Sequence, residues 1–295
     1  MYAKNFPVYN IEQFYYPRKE SDFYISGASE HLRKFQYVLY PHKHDHFLTI
    51  LCTHGGGTHD VDFVSYPMKR GSIFMLSPGQ THSLKLSPDM EGYVLLHSQD
   101  FYDVNYSNKR VRDYPFFCSN LNSPQIVLQE KDLSKIAGIF NELLVENKNE
   151  NLLKNQILCS LADMLYIYLT RLYLPKKKID NRNQTYLVQL LRLEDAIDLH
   201  FKNEKSPRVY ASMLGMSIKH LNLICNTCLG KTTTEIILNR VMLEAKRMLS
   251  QGIFSVEKVA IELGYLDTSY FIRLFKKSVG LTPLLFMKGY HKRND

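Results

Sequence analysis

Three histidines stand at alternate positions in His42-Lys-His44-Asp-His46, and a fourth closes the run Pro78-Gly-Gln-Thr-His82. On an extended strand, a period of two puts His42, His44 and His46 on one face. Imidazoles gathered this way serve a metal centre, line a small-molecule pocket, or sit as hydrogen-bonded core groups. At this point all three readings stay open. A second group with chemistry to offer is Cys225-x-x-Cys228. Structural zinc takes four ligands, no second Cys pair follows, and both thiols fall on one expected helix, so no metal is expected there. A third is the cationic run Arg273, Lys276 and Lys277, whose spacing suits contact with a polyanion.

The elements that must position these groups change character along the chain. Up to about residue 125, short runs rich in apolar, β-branched and aromatic residues (FLTILCTH, HDVDFVSY, SIFMLS) alternate with turn signals at Gly55-Gly56-Gly57, Pro67, Gly71, Pro78-Gly79 and Ser87-Pro88. This spacing predicts an all-β barrel or sandwich. From Lys131 to Asn147 the apolar residues take helical spacing, at Leu133, Ile136, Phe140 and Leu143. Residues 151–174 predict a second helix, apolar around much of its circumference, which needs cover on more than one side. The polar stretch that starts at Pro175 reads as an inter-domain linker. Beyond Tyr186 the period is helical throughout. Ser206-Pro207 and Thr282-Pro283 each place a capping residue before a first-turn Pro, and Thr232-Thr-Thr-Glu235 has the spacing of a capping box. The reading is α+β and multidomain. Residues 1–130 are the barrel, 131–174 a helical packing and dimerisation segment, 175–185 a linker, and 186–295 an all-α domain.

Charge is distributed as unevenly as structure. The chain of 295 residues carries a formal net charge of +8. Residues 181–295 hold 17 Lys/Arg against 10 Asp/Glu, while residues 1–180 hold 20 against 19. A basic domain joined to a neutral one points to a polyanion partner for the basic part. The five scattered cysteines suit a reducing compartment, and the N-terminus shows neither an apolar signal core nor a membrane span. A cytoplasmic protein is expected, with no membrane partner.

An internal repeat turns the basic domain into a nucleic-acid hypothesis. Ala211-x-x-Leu214-Gly215, Leu221 and Gly230-Lys231-Thr232 recur as Ala260-x-x-Leu263-Gly264, Phe271 and Gly280-Leu281-Thr282-Pro283. The offset is 49 in the first part and 50 in the second, so one residue has been added in the later turn. Each copy has the form of a helix-turn-helix. A short helix (207–214; 255–263) carries a small Ala at the crossing, a Gly makes the turn, and a second helix (217–228; 267–278) follows. Such a second helix enters the DNA major groove.

Residues 186–290 resemble the DNA-binding domain of the AraC/XylS family of bacterial regulators, on HLNLICNTCLGKTTTEIILNRVMLEAKRMLSQG and FSVEKVAIELGYLDTSYFIRLFKKSVGLTPLLF. Residues 42–82 are similar to the degenerate cupin barrel that precedes it in that family. The resemblance implies seven helices and a long connecting helix at about 232–250 that spaces the two readers roughly one DNA turn apart, ~34 Å. It carries base-reading positions onto Lys219, Asn222 and Leu223, and onto Thr268, Ser269, Ile272 and Arg273. Leu223 departs from the Arg of many relatives, which leaves it an apolar contact to a thymine methyl. Arg273 is assigned a guanine, and Asp267 a capping role. Leu221, Ile224 and Cys225, and the aromatic Tyr270, Phe271 and Phe275, are read as core. Phosphate contacts are expected from His220, Thr232, Thr233, Lys276, Lys277 and Thr282. The effector pocket is assigned to His42, His44, His46, Tyr66, His82 and Tyr93. A metal-binding cupin carries a Glu four or five residues after its His-x-His, where this chain has Ile50 or Leu51, so no metal and no cofactor are expected.

The expected function is therefore a sequence-specific double-stranded DNA-binding transcription activator. It is expected to be a homodimer that works with RNA polymerase and is controlled by a small-molecule effector of unknown identity. A metal-dependent cupin enzyme with a helical appendage, and an adaptor that binds protein through its helical domain, are the rival readings.

Overall fold

Alternation along Phe47–His54 decides how the front part is built, because both faces of this strand are apolar. The computed structural model describes residues 6–15, 21–103, 105–106, 110–118, 123–173 and 181–294. Two units divide near residue 175. The first contains β1 (Val8–Tyr9), β2 (Phe23–Gly27), α1 (Ala28–Lys34), β3 (Lys43–His44), β4 (Phe47–His54), β5 (Gly56–Val61), β6 (Val64–Lys69), β7 (Ser72–Leu76), β8 (His82–Leu86) and β9 (Glu91–His97). It continues with α2 (Gln99–Asp103), α3 (Pro115–Cys118), β10 (Gln125–Val127), α4 (Glu130–Lys148) and α5 (Lys154–Tyr173).

A five-stranded sheet in the order β10-β7-β4-β9-β2 and a three-stranded sheet in the order β6-β5-β8 form the β-rich part, with β1 paired in parallel to β3. The two faces of the larger sheet serve different cores. Leu48, Ile50, Cys52, Phe74, Leu76, Val94 and Leu96 face the smaller sheet and meet Val61, Met68 and Leu84. Phe47, Leu51, Ile73, Met75 and Leu95 point the other way, into a core shared with Leu133, Ile136, Phe140, Leu143, Leu158, Leu165 and Leu169 of α4 and α5. A strand covered on both sides reads as a continuous apolar run, as FLTILC does.

Polar groups also fasten α5 to the sheet. Tyr166 lies fully buried, and its hydroxyl meets His97 Nε2 at 2.6 Å and Thr49 Oγ1 at 3.4 Å. Tyr102 donates to Asp163 Oδ1 at 2.9 Å, and Tyr114 donates to the same carboxylate. The two long helices therefore belong to the same core as the barrel.

Several expectations need correction. HDVDFVSY is not one strand: it spans the β5–β6 hairpin, whose turn residues Asp62 and Phe63 take φ of 44° and 75°. Paired positive φ values are what a two-residue hairpin turn requires, and Phe there is a poor sequence signal for one. Helix α1 was not foreseen either, since its seven residues are too few to show a period.

The second unit is helical: α6 (Asn181–His200), α7 (Pro207–Met213), α8 (Ile218–Leu229), α9 (Thr233–Ser250), α10 (Val256–Glu262), α11 (Thr268–Val279) and α12 (Pro283–Asn294). Helix α6 begins inside the stretch expected to be linker, and residues 175–180 of that stretch lie outside those described. Helix α9 packs against members of both helix-turn-helix units, and its Ile236, Ile237, Val241, Met242, Ala245 and Leu249 are buried. Arg240 on α9 ties the end of α6 down. Its Nε–H donates to Asp198 Oδ1 at 2.5 Å, a second N–H donates to Glu244, and its guanidinium lies 4.0 Å from the Phe201 ring centroid. At 18 residues, α9 is about 27 Å long.

Candidate functional site: capped reader helices and a histidine-lined recess

The second helix of each helix-turn-helix unit is started by a side chain that accepts from backbone N–H groups left open at a helix terminus. Ser217 Oγ accepts from His220 N–H at the start of α8. Asp267 Oδ1 accepts from Ser269 and Tyr270 N–H at 2.8 and 3.1 Å at the start of α11, the capping role expected of it. Both helices end at a left-handed glycine, Gly230 and Gly280. The turns before them are made by Gly215 and Gly264, at φ of 65° and 77°.

The inward face of α8 is Leu221, Ile224 and Cys225, all with no exposed surface. The inward face of α11 is Phe271 and Phe275. Tyr270, read as core from sequence, is half exposed and packs beside Tyr265. The outward residues of α8 include Lys219 and Leu223, which is 49% exposed. Those of α11 include Ser269, Arg273, Lys276 and Lys277, with Thr268 and Ile272 partly covered. No described acidic side chain pairs with Arg273, Lys276 or Lys277, so their charge is available to a partner.

Two assigned residues are engaged elsewhere. Asn222 Oδ1 accepts from Thr233 N–H at 3.0 Å and from Thr233 Oγ1–H at 2.9 Å. The backbone donor fixes which end of the amide faces it, so the oxygen that an adenine contact needs is already used. Thr233 is completely buried, with its hydroxyl also 3.4 Å from Cys225 Sγ, and its N–H is spent on Asn222. It is a core residue and not a phosphate contact. Thr232, beside it, is exposed and forms the reciprocal capping box with Glu235. Thr282 Oγ1 accepts from Leu285 N–H at the start of α12. The His220 ring lies edge-on to Tyr186. The cysteines whose side chains are described, Cys52, Cys159, Cys225 and Cys228, are free thiols.

In the first unit, the space between the two sheets forms a narrow recess, part of it open to solvent. Its lining is mainly aliphatic, with Leu48, Ile50, Met68, Leu84, Val94 and Leu96 among its walls, and four imidazoles: His31, His42, His44 and His82. Of the six residues assigned from sequence, three are brought together here. His46 lies beyond His44, ring centroids 4.4 Å apart and tilted by 42°, and its Nδ1 meets Asp45 at 2.9 Å. Tyr66 packs at the margin of the inter-sheet core, against Phe74. Tyr93 is a correction. It stands on the opposite face of β9 and stacks on Phe140 of α4, so it faces the helices and not the recess.

His31 and His59 were missed. His31 lies on the unforeseen helix α1, its Nδ1 3.0 Å from the Tyr24 hydroxyl. His59 Nε2 lies 2.9 Å from His82 Nδ1. The signal for His59 was its strand parity with buried Val61, hidden while the hairpin was read as one strand. Burial depresses the whole cluster by penalising the charged form. His31 and His59 fall to about 3, His42 to about 4, and His44 and His82 well below the ordinary value. The imidazoles of this recess are neutral at physiological pH.

The architecture has relatives. The AraC-like ligand binding domain family matches residues 23–159, and a helix-turn-helix domain family matches residues 210–289. An uncharacterized HTH-type transcriptional regulator, YfiF of Bacillus subtilis, is 23% identical over 98% of this chain and 89% of its own. The HTH-type transcriptional activator RhaR of Enterobacter is 22% identical over 84% and 87%. Among solved structures, ToxT of Vibrio cholerae covers 90% of this chain and 97% of its own at 12% identity, with a TM-score of 0.41. With a ligand-binding domain of AraC type in front and a helix-turn-helix domain behind, the chain belongs to the AraC/XylS family of transcription regulators.

Proposed function

We propose that this regulator is an activator that binds two successive major-groove segments through α8 and α11. Lys219, Leu223, Thr268, Ser269, Ile272 and Arg273 face bases in this reading. His220, Thr232, Lys276, Lys277 and Thr282 lie near phosphates. The observation that carries it is the outward face of α11: a capped helix presents Arg273, Lys276 and Lys277 with no described acidic partner. Free guanidinium and ammonium groups on one helix face are the donors that guanine edges and phosphates take.

A small molecule held in the recess shifts the population of DNA-competent chains. The mostly aliphatic lining with neutral histidines at one side favours an apolar ligand oriented by a few polar contacts. The partly exposed stripe Ile157, Leu161, Met164 and Ile167 on α5 supports the segment 131–174 as a homodimer face. RNA polymerase is the further partner, the chain acts in the cytoplasm, and it catalyses no reaction of its own. The family match favours this over a cupin enzyme.

Selection of bound duplexes from a random DNA pool by the full-length protein tests the reading. The expected result is a pair of short conserved blocks about one helical turn apart. A pool that stays unenriched at low salt, where phosphate contacts are strongest, overturns it.

A further inference from the structure

Among the described residues, one group of His, Cys, Asp or Glu side chains is arranged to share a metal ion. One ring nitrogen from each of His42, His44 and His82 lies within 4.8 Å of the other two, and all three residues are buried. We propose that these three histidines bind one divalent transition-metal ion of the zinc, nickel or cobalt type through their Nε2 atoms. The fourth position is left for an anionic donor atom of the effector. That last clause rests on the recess being the effector pocket; the metal site itself does not.

A hydrogen bond fixes the tautomer of one ligand. His42 Nδ1–H donates to the Tyr40 carbonyl at 2.7 Å, since a carbonyl only accepts. In a neutral ring, Nε2 of His42 is then a bare lone pair. It lies 3.0 Å from His44 Nε2, which donates to it in the metal-free site and must carry its proton on Nδ1 instead to bind a metal. Tetrahedral zinc with bonds of about 2.0–2.1 Å sets ligand nitrogens ~3.3 Å apart, so this pair opens by a few tenths of an ångström while the widest separation closes. His82 Nδ1 is held by His59 Nε2, and His82 Nε2 has no partner although it is buried. Either orientation of the His59–His82 bond buries one unpaired N–H. If His82 donates, that N–H is at His59 Nδ1, and His82 Nε2 is a second bare lone pair. A cation satisfies the buried His82 Nε2, which no described N–H donor reaches. His59 then acts as an outer partner that orients a ligand, a common accompaniment of bound imidazole.

The donor set chooses the ion. Three imidazoles with no carboxylate suit zinc, nickel or cobalt and not magnesium or calcium. The nearby carboxylates are spent elsewhere: Asp45 on His46, and Asp62 on Gln80 and the Thr81 N–H. A doubly charged ion held only by neutral ligands in a buried site keeps its charge uncompensated, which favours an anion as the fourth ligand.

Cobalt titration of tag-free full-length protein, first dialysed against a chelator, tests the site. The expected result is one Co²⁺ per chain with visible bands of tetrahedral intensity and no near-ultraviolet thiolate charge-transfer band. The unfolding midpoint should rise by ~5–10 °C at 100-fold excess over Kd. His42→Gln and His82→Gln should abolish the bands, while His54→Gln, on the exposed surface, keeps them. Circular dichroism of each variant separates loss of the site from loss of the fold. Should a histidine variant fail to fold, the wild-type stoichiometry and the missing thiolate band decide alone. No stoichiometric uptake by the wild type, or a thiolate band from Cys225 and Cys228, overturns the proposal. DNA selection is read separately without added metal, so the regulator reading and the metal site fail independently.

Discussion

Asn222 on the first reader helix closes the start of the connecting helix: its Oδ1 takes both the backbone N–H and the hydroxyl of Thr233. Eleven residues separate the two, so the bond is a tertiary clamp between α8 and α9 and not a local cap. Asn222→Ala leaves a buried N–H and a buried hydroxyl without their acceptor. The expected cost is ~1–3 kcal/mol in unfolding free energy, read by denaturant titration. On DNA, the variant should bind more weakly at every site, with its base preferences unchanged. A change of preferred base at one operator position would instead restore Asn222 as a reader.

The two turn glycines look equivalent in sequence but not in space. Both take a left-handed conformation that costs an L-residue roughly 1–2 kcal/mol. A Cβ on Gly215 meets nothing, whereas one on Gly264 would stand 2.1 Å from the Lys202 carbonyl oxygen. Lys205 Nζ donates to that same carbonyl and also lies over the Tyr265 ring, so the loop after α6 is pinned against the second turn. Gly264→Ala should therefore destabilise the protein by clearly more than Gly215→Ala, which should cost only its backbone strain. Equal unfolding midpoints for the two variants would show that the Lys202 loop yields freely.

Most of the second unit was legible because its signals are local and repeated. Leu221 and Phe271 mark the same buried position in each copy, and caps and glycines mark the ends. What stayed hidden depended on pairing across the fold. Asn222 has the residue type and helix position of a base reader, and only the packing of α8 on α9 shows its oxygen consumed. Tyr93 was misplaced because a strand covered on both faces gives no polar alternation to tell one face from the other. His31 and His59 were missed for want of α1 and the hairpin turn, neither of which carries a strong sequence signature.

Acid should unfold the first unit well before its carboxylates titrate. Burial lowers His31 to about 3 and His97 to about 4, against about 6.5 in the unfolded chain. His97 is further committed to its neutral form, since Nδ1–H donates to the Ser98 carbonyl and Nε2 accepts from Tyr166. Between pH 6.5 and those folded values the unfolded chain binds protons that the folded chain refuses. Stability is thus complete above pH 6.5 and falls as pH drops, by about 1.4 kcal/mol per pH unit for each such histidine. The lowered carboxylates of this unit, Glu30, Asp89 and Glu130, add to the loss only at lower pH. Urea unfolding at pH 7, 6 and 5 should show the decline, and His97→Gln should lessen its slope by one histidine's share. A curve level between pH 7 and 5 would contradict neutral burial.

Arg273 and the lysine pair beyond it should separate reading from holding. All three are exposed on α11, yet they sit at different heights on the helix. Arg273 is one turn further in from the capped end than Ser269, and Lys276 and Lys277 lie in the last turn. In a helix whose N-terminal part enters the groove, base edges fall to the former and backbone phosphates to the latter. Arg273→Ala should lose ~1–3 kcal/mol of discrimination at one base pair while binding to unrelated duplexes changes little. Lys276→Ala and Lys277→Ala should weaken all duplexes alike, each lowering the slope of log affinity against log salt by about 0.9. Competition assays on single-base operator variants at two salt concentrations resolve both effects. If Arg273→Ala instead reduces the salt slope and leaves every base preference intact, the guanidinium holds a phosphate, and base reading by the second unit falls to Thr268, Ser269 and Ile272.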